Sequence, residues 1–289
     1  MPTEFTEEKD FYHEAFKRNR GLISSQLQEK LKNTHVAICG MGGVGGIHAE
    51  TLARLGVGKF TIADGDLYEI VNINRQIEAM TSTVHKSKKE VMIKTLHDIN
   101  PFIKVLGLDY VTKENIDDFL DGVDIVIDGV DFFEVDIRRL IFNEAYKRGI
   151  PVITAAPIGF GSSVIVFTKD SMTFDDYFNI SDKTPKELLS FYFGIGLSPS
   201  MIQRSYFAPE KIKLKTLNAP SSVLGTLASA NWVGAIICKL LDNKKVEVAP
   251  VSFHFDPYAA KMKRTHLYFG NRNIAQKIKL WYLKNKLLR

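Results

Sequence analysis

The chain has 289 residues, enough for two average domains or one large α/β domain. With 45% hydrophobic and 25% charged residues it is neither a disordered nor a collagen-like chain, and it can bury a sizeable core. The formal charge of +5 comes from 38 basic and 33 acidic residues, and two cysteines, Cys39 and Cys238, exclude a disulfide framework and a Cys-x-x-Cys zinc site. A reducing compartment fits that cysteine usage. The opening MPTEFTEEKD is acidic and polar, unlike a secretory leader, so a cytoplasmic location is expected.

In chain order, residues 11–33 alternate charged and apolar groups at helical spacing around Gly21 and predict two short helices. A short apolar run, His35–Cys39, ends in glycines. It is followed by a helical pattern over 45–55 and a second run, Lys59–Ala63, giving strand, glycine turn, helix, strand. A helix over 87–99 ends at Asn100-Pro101, because proline disfavours helical geometry in the residue before it. Strands are expected at Lys104–Leu108, Ile125–Asp128, 151–155, 163–167 and 251–255, with helices over 113–120 and 136–147. This alternation predicts a Rossmann-like α/β fold, a mostly parallel sheet with helices on both faces. The apolar run over 221–241 contains Asn231, Lys239 and many small residues, and reads as a buried helix rather than a membrane span.

Between those strands, 170–216 is rich in Ser, Asp, Pro and aromatics and reads as an insertion whose aromatics pack. The expected organisation is N-terminal helices over 1–34, a nucleotide-binding and adenylation domain over 35–260 carrying that insertion, and a basic tail over 261–289. Gly270 to Arg289 holds six basic residues and no acid, which leaves the rest of the chain nearly neutral. The tail reads as an amphipathic helix that packs on the protein body; RNA, a membrane surface or an acidic partner are its other candidate contacts.

The chemistry starts at Gly40-Met41-Gly42-Gly43-Val44-Gly45, between a strand and a helix. Glycines there permit a tight turn and let a phosphate approach backbone N–H groups at the positive helix end. Asp64 closes the second strand, where a carboxylate can accept bonds from ribose hydroxyls. NAD and ATP satisfy these features equally. The stretch from Asp64 through Asp66, Asn72 and Arg75 to Gln76, with Lys88 thirteen residues after Arg75, separates them. An arginine and a lysine converging on phosphates suit attack at an α-phosphate, where negative charge accumulates, and favour ATP.

These motifs, with Ile99-Asn100-Pro101 and Asp128-Gly-Val-Asp131, resemble the ThiF/HesA/MoeB adenylyltransferases, whose fold is shared by the ubiquitin-activating enzymes. The resemblance covers about residues 16–168 and continues more faintly to about 258. It implies a ThiF-type fold that binds ATP and adenylates a carboxylate, usually the C-terminal glycine of a ubiquitin-like or sulfur-carrier protein. Gly43 and Asp64 would hold the nucleotide, with Gly40, Gly42, Gly45 and Asp66 around it. Asn72, Arg75 and Lys88 would contact the phosphates, and Asp131 would hold magnesium. Arg18, with Arg20 as fallback, would reach the phosphates of a second subunit, which implies a homodimer.

The chain departs from the family in having no cysteine between residues 40 and 237. Cys39 and Cys238 lie in apolar segments and read as packing thiols, so the expected output is an acyl-adenylate without a thioester. Arg138 and Arg139 depart from the commoner spacing after the aspartate and read as a basic surface turn. Two other readings remain open. One is an enzyme like the tRNA threonylcarbamoyladenosine dehydratases, which activate a carboxylate on RNA with ATP; residues 72–101 resemble that branch. The other is a nicotinamide oxidoreductase or a catalytically silent nucleotide-binding scaffold.

Overall fold

The computed structural model describes residues 5–206 and 220–287. Residues 207–219, at the end of the expected insertion, and the last two residues of the expected tail lie outside the described residues. The chain divides into two compact units. Residues 1–129 and 230–246 form the first, and 130–229 and 247–289 the second.

The first unit contains α1 (Glu8–Ala15), α2 (Ser25–Asn33), β1 (His35–Cys39), α3 (Gly45–Leu55), β2 (Lys59–Ala63), α4 (Lys88–Ile99), β3 (Lys104–Leu108), α5 (Ile116–Leu120) and β4 (Ile125–Asp128). Its strands run in the order β3-β2-β1-β4, all parallel. β1, β2 and β4 are buried almost throughout, as strands of a parallel sheet covered by helices must be, whereas β3 alternates between half-buried and exposed at the edge. These four strands fall where the apolar runs predict them. α4 begins one residue inside the predicted span because Ser87 is its N-cap, its hydroxyl accepting from the Glu90 N–H.

In the second unit, α6 (Val135–Lys147) precedes β5 (Val152–Ile158) and β6 (Gly161–Phe167). Then come α7 (Phe174–Phe178), α8 (Lys186–Leu197), the first seven residues of α9 (Val223–Leu241), β7 (Val251–Asp256), β8 (Lys261–His266) and α10 (Ile274–Leu287). Its strands pair antiparallel in the order β5-β6-β7-β8. β5 and β6 are longer than their apolar cores because they form a tight hairpin, with Ile158 opposite Gly161, that extends the ladder through Pro157 and Ser162. β8 is a strand inside the segment expected to be tail, held by its register against β7. The aromatics of the expected insertion pack as anticipated: Phe174, Tyr177, Phe178 and Phe193 are buried, Phe174 against Phe142, Tyr177 and Phe178 against Phe167, and Phe193 against Phe178. A cavity of about 320 Å³ lies between α8 and α10, lined in part by Tyr192, Asn271, Lys277 and Trp281.

α9 is long and apolar enough to cross a membrane by length and composition. Val233 and Ile237 are fully buried and the Ser229 hydroxyl donates to Ser162 Oγ, both features of a core helix, while Leu224 and Leu227 are exposed.

β7 also carries a group that couples folding to pH. His254 is buried, its Nδ1 2.9 Å from Ser200 Oγ and 3.4 Å from Ser198 Oγ, and burial pushes its pKa down from 6.5 to about 4 against the opposing pull of Asp256. Folding therefore favours the neutral ring. The associated stability, on the order of 3 kcal/mol, is fully present above about pH 6.5 and disappears as the pH falls through about 4. In urea unfolding across pH 7.5 to 4, His254→Gln is expected to flatten the acid loss of stability; a pH dependence identical to wild type would refute the assignment.

Candidate nucleotide-binding site

The glycine turn joins β1 to α3. Gly40 adopts φ +90°, and a Cβ on Gly45 would stand 1.6 Å from the Gly40 carbonyl oxygen, so the turn closes only with glycine at that contact. No side chain caps α3 at Val44, which leaves its N-terminal dipole available to an anion. Gly42 and Gly43 are partly exposed there.

Asp64, the residue after β2, is buried and holds the turn. Its Oδ2 accepts from the Met41 N–H at 2.6 Å and its Oδ1 from the Asp66 N–H at 2.8 Å. Burial raises its pKa, opposed by the positive charge of Lys88 and by those two N–H donors. Each oxygen keeps a second lone pair that a ribose hydroxyl can use. Gly65 follows, and the phenol end of the exposed Tyr110 ring lies where its Cβ would be, 2.1 Å from the Tyr110 Cζ.

Lys88 opens α4, and only 7% of it is exposed. Its Nζ donates to Asp66 Oδ2 at 3.0 Å and its backbone N–H to the Asp66 carbonyl at 3.0 Å. Together with the Tyr68 backbone N–H donating to the Lys86 carbonyl, these bonds close the loop from 69 to 84 and give the Arg75 to Lys88 spacing its structural basis. The rival lysines are placed differently: Lys86 is exposed, and Lys89 pairs with Asp109 at 2.8 Å.

Inside that loop, Asn72 is buried and its Oδ1 accepts from the Glu69 N–H in a reciprocal capping box. Its carbonyl accepts from the Arg75 and Gln76 N–H groups. The Arg75 guanidinium is half-buried and donates through Nη1 to the Val71 carbonyl and to Asn74 Oδ1. Gln76 closes the motif, and residue type and spacing alone assign it no contact. It is buried, its Nε2 would lie 3.6 Å from a Cβ on Gly42, and its Oε1 has no hydrogen-bond partner. A buried amide left unsatisfied beside a glycine turn is costly unless a ligand completes it, and one sequence cannot reveal an unmade bond.

Arg18 is exposed in the 3-10 turn Lys17–Asn19. Arg20 donates to the His13 carbonyl at 3.1 Å, so the fallback arginine is tied to α1 of its own chain. Asp131 lies in the second unit, exposed, its Oδ1 accepting from the Phe133 N–H at 3.0 Å. It does not cap α6; Glu134 occupies that position.

Two expectations need correction nearby. Arg138 is not on a basic surface turn: it is 2% exposed, its guanidinium stacks on Phe193 at 4.0 Å, and Nη2 donates to the Val130 and Asp131 carbonyls. Arg139 is bidentate to Asp175 and also pairs with Asp182. Both arginines face residues that α7, α8 and the loop between them bring back in space, contacts that their local sequence does not reveal.

Cys39 is buried in β1 and Cys238 half-buried in α9, where burial raises its thiol pKa, in line with packing roles. Among the described residues no three His, Cys, Asp or Glu side chains cluster as a metal cage.

A model of the ThiF family matches residues 16–271. The chain is 42% identical over 142 residues to the tRNA threonylcarbamoyladenosine dehydratase of Bacillus subtilis (strain 168), covering 48% of this chain and 55% of that protein. It is 34% identical over 147 residues to the sulfur carrier protein ThiS adenylyltransferase of Escherichia coli (strain K12), covering 50% and 58%. The chain thus spans a little over half the length of these curated relatives. The solved E. coli tRNA N6-threonylcarbamoyladenosine dehydratase, TcdA, in complex with ATP, shares the fold at a TM-score of 0.60 and 22% identity, covering 82% of this chain and 97% of that one. With a family model matched across most of its length and the α/β architecture that its motifs imply, this chain belongs to the ThiF family.

Proposed function

We propose that the protein is an ATP-dependent adenylyltransferase that activates a carboxylate, the C-terminus of a small ubiquitin-like or sulfur-carrier protein or peptide, as an acyl-adenylate. The observation that carries this reading is the linked set Met41–Asp64–Asp66–Lys88, which joins an uncapped helix end to a ribose-reading carboxylate and a buried lysine. A substrate carboxylate oxygen attacks the α-phosphorus in line; a new O–P bond forms, the α,β-bridging P–O bond breaks, and pyrophosphate leaves. The substrate carboxylate is already ionised at pH 7, so no protein base is needed. Arg75 and Lys88 stabilise charge on the phosphates, and Asn72 holds the loop that presents Arg75. The unpaired Gln76 amide oxygen accepts from a donor on the ligand such as a ribose hydroxyl. Asp131 fits magnesium as a single exposed hard carboxylate, since this ion takes one or two protein carboxylates with phosphate oxygens and water. When bound it would neutralise the leaving pyrophosphate. Arg18 acts on the partner subunit of a homodimer.

A second reading keeps this chemistry and places the carboxylate on tRNA. The 42% identity to a tRNA threonylcarbamoyladenosine dehydratase favours it over about half of the chain. ATP–pyrophosphate exchange separates the two, measured with small proteins and peptides ending in Gly-Gly and with tRNA carrying threonylcarbamoyladenosine. Exchange dependent on the protein or peptide carboxylate is expected, and it persists in the Cys39→Ala/Cys238→Ala variant. Exchange with tRNA alone selects the second reading. Binding of NADH without binding of ATP would overturn both.

A further inference from the structure

α10 carries an exposed apolar stripe whose Trp281 side, with Lys277 and Lys284, also forms one rim of the cavity against α8. Ile274, Ile278 and Trp281 are spaced four and three residues apart on one helical stripe, and they are 76%, 62% and 68% exposed. The opposite side packs against α8 and the loop after it, with Gln276 Nε2 donating to the Ile195 carbonyl and Lys279 Nζ to the Pro199 carbonyl. Exposed Lys277 and Lys284 border one edge of the stripe. Burial lowers the pKa of the Lys279 ammonium, and the charge of Lys263 on β8 adds to that shift. Tyr268 and Phe269, in the turn before α10, are also exposed, and Phe269 holds φ +65°. Between residues 270 and 289 there is no acidic side chain.

We propose that this face of the second unit is a docking surface for an anionic lipid bilayer. An apolar stripe edged by lysines satisfies both layers of such an interface: Ile274, Ile278 and Trp281 enter the acyl boundary while the lysine ammonium groups reach lipid phosphates. Two other occupants fit the face less well. A second copy of the chain would set like-charged lysine edges against each other, and a nucleic acid would pair the lysines but leave the apolar stripe in water.

The test is co-sedimentation of the full-length protein with vesicles of phosphatidylcholine alone and of phosphatidylcholine mixed with phosphatidylglycerol. Binding is expected only to the anionic vesicles and is expected to weaken with added salt. Lys277→Gln and Lys284→Gln each reduce it about fivefold at low ionic strength. Ile274→Glu/Ile278→Glu, at solvent-facing positions that leave the fold intact by circular dichroism, reduces it by at least about tenfold. Brominated lipid quenches the wild-type tryptophan emission, and Trp281→Phe removes that quenching. Equal binding to neutral vesicles, absence of binding, or anionic binding unchanged in the double glutamate variant each overturns the proposal. So does self-association lost in that variant, or salt-sensitive tRNA binding lost in the lysine variants, when vesicles are not bound.

Discussion

Arg75→Ala is expected to lower carboxylate-dependent ATP–pyrophosphate exchange by about 10²–10³-fold, the effect of removing one charge stabiliser from a phosphoryl-type transition state. The fold should be unaffected, because the guanidinium is half-buried and its bonds are to the Val71 carbonyl and Asn74 within its own loop. The variant also tests the dimer. If Arg18 of one subunit completes the site of its partner, mixing Arg18→Ala with Arg75→Ala subunits assembles one intact site per mixed dimer. A statistical mixture then recovers about a quarter of wild-type activity. Unchanged exchange in Arg75→Ala would remove that residue from the chemistry, and the absence of any recovery on mixing would place Arg18 outside the partner's site.

The second large effect is expected at Gly45. An alanine Cβ there would lie 1.6 Å from the Gly40 oxygen and 2.8 Å from its carbonyl carbon, contacts with backbone that no rotamer change relieves. Gly45→Ala should destabilise the protein by about 1–3 kcal/mol, or about 2–4 °C in Tm per kcal/mol for a chain approaching this size, and should abolish the rise in Tm that ATP produces. Gly42→Ala is the control: its Cβ meets only the end of the Gln76 side chain at 3.6 Å, so the fold is retained. Thermal unfolding with and without ATP measures both. Wild-type stability with an intact ATP shift in Gly45→Ala would show that the turn does not need its close packing.

Much of the first unit could be read from the chain because its signals are local. β1 to β4 are short apolar runs ended by glycine or aspartate, and Ser87 and Asn100-Pro101 bracket α4 through capping and steric effects that act within a few residues. The family motif likewise names Asp64, Asn72, Arg75 and Lys88 by spacing. Beyond those names the sequence is silent. Lys88 differs from Lys86 and Lys89 in being buried and paired with Asp66, a contact across 22 residues that exists only once the loop has closed. The direction of β5 against β6 depended on a hairpin that apolar content does not encode. Arg138 reads as part of a basic surface turn and is buried because Phe193, 55 positions away, folds over it.

The sequence by itself determined the α/β class, the glycine turn and the motifs that mark the ThiF family, because these follow from residue type at short range. Only the tertiary structure decided that Asp64 spends hydrogen bonds on holding the turn, that Gln76 keeps an unmade bond beside Gly42, and that α10 buries one side while leaving an apolar stripe outside. Each of these depends on which distant backbone groups and side chains reach hydrogen-bond or van der Waals distance, and burial then sets the energy of every polar group left there.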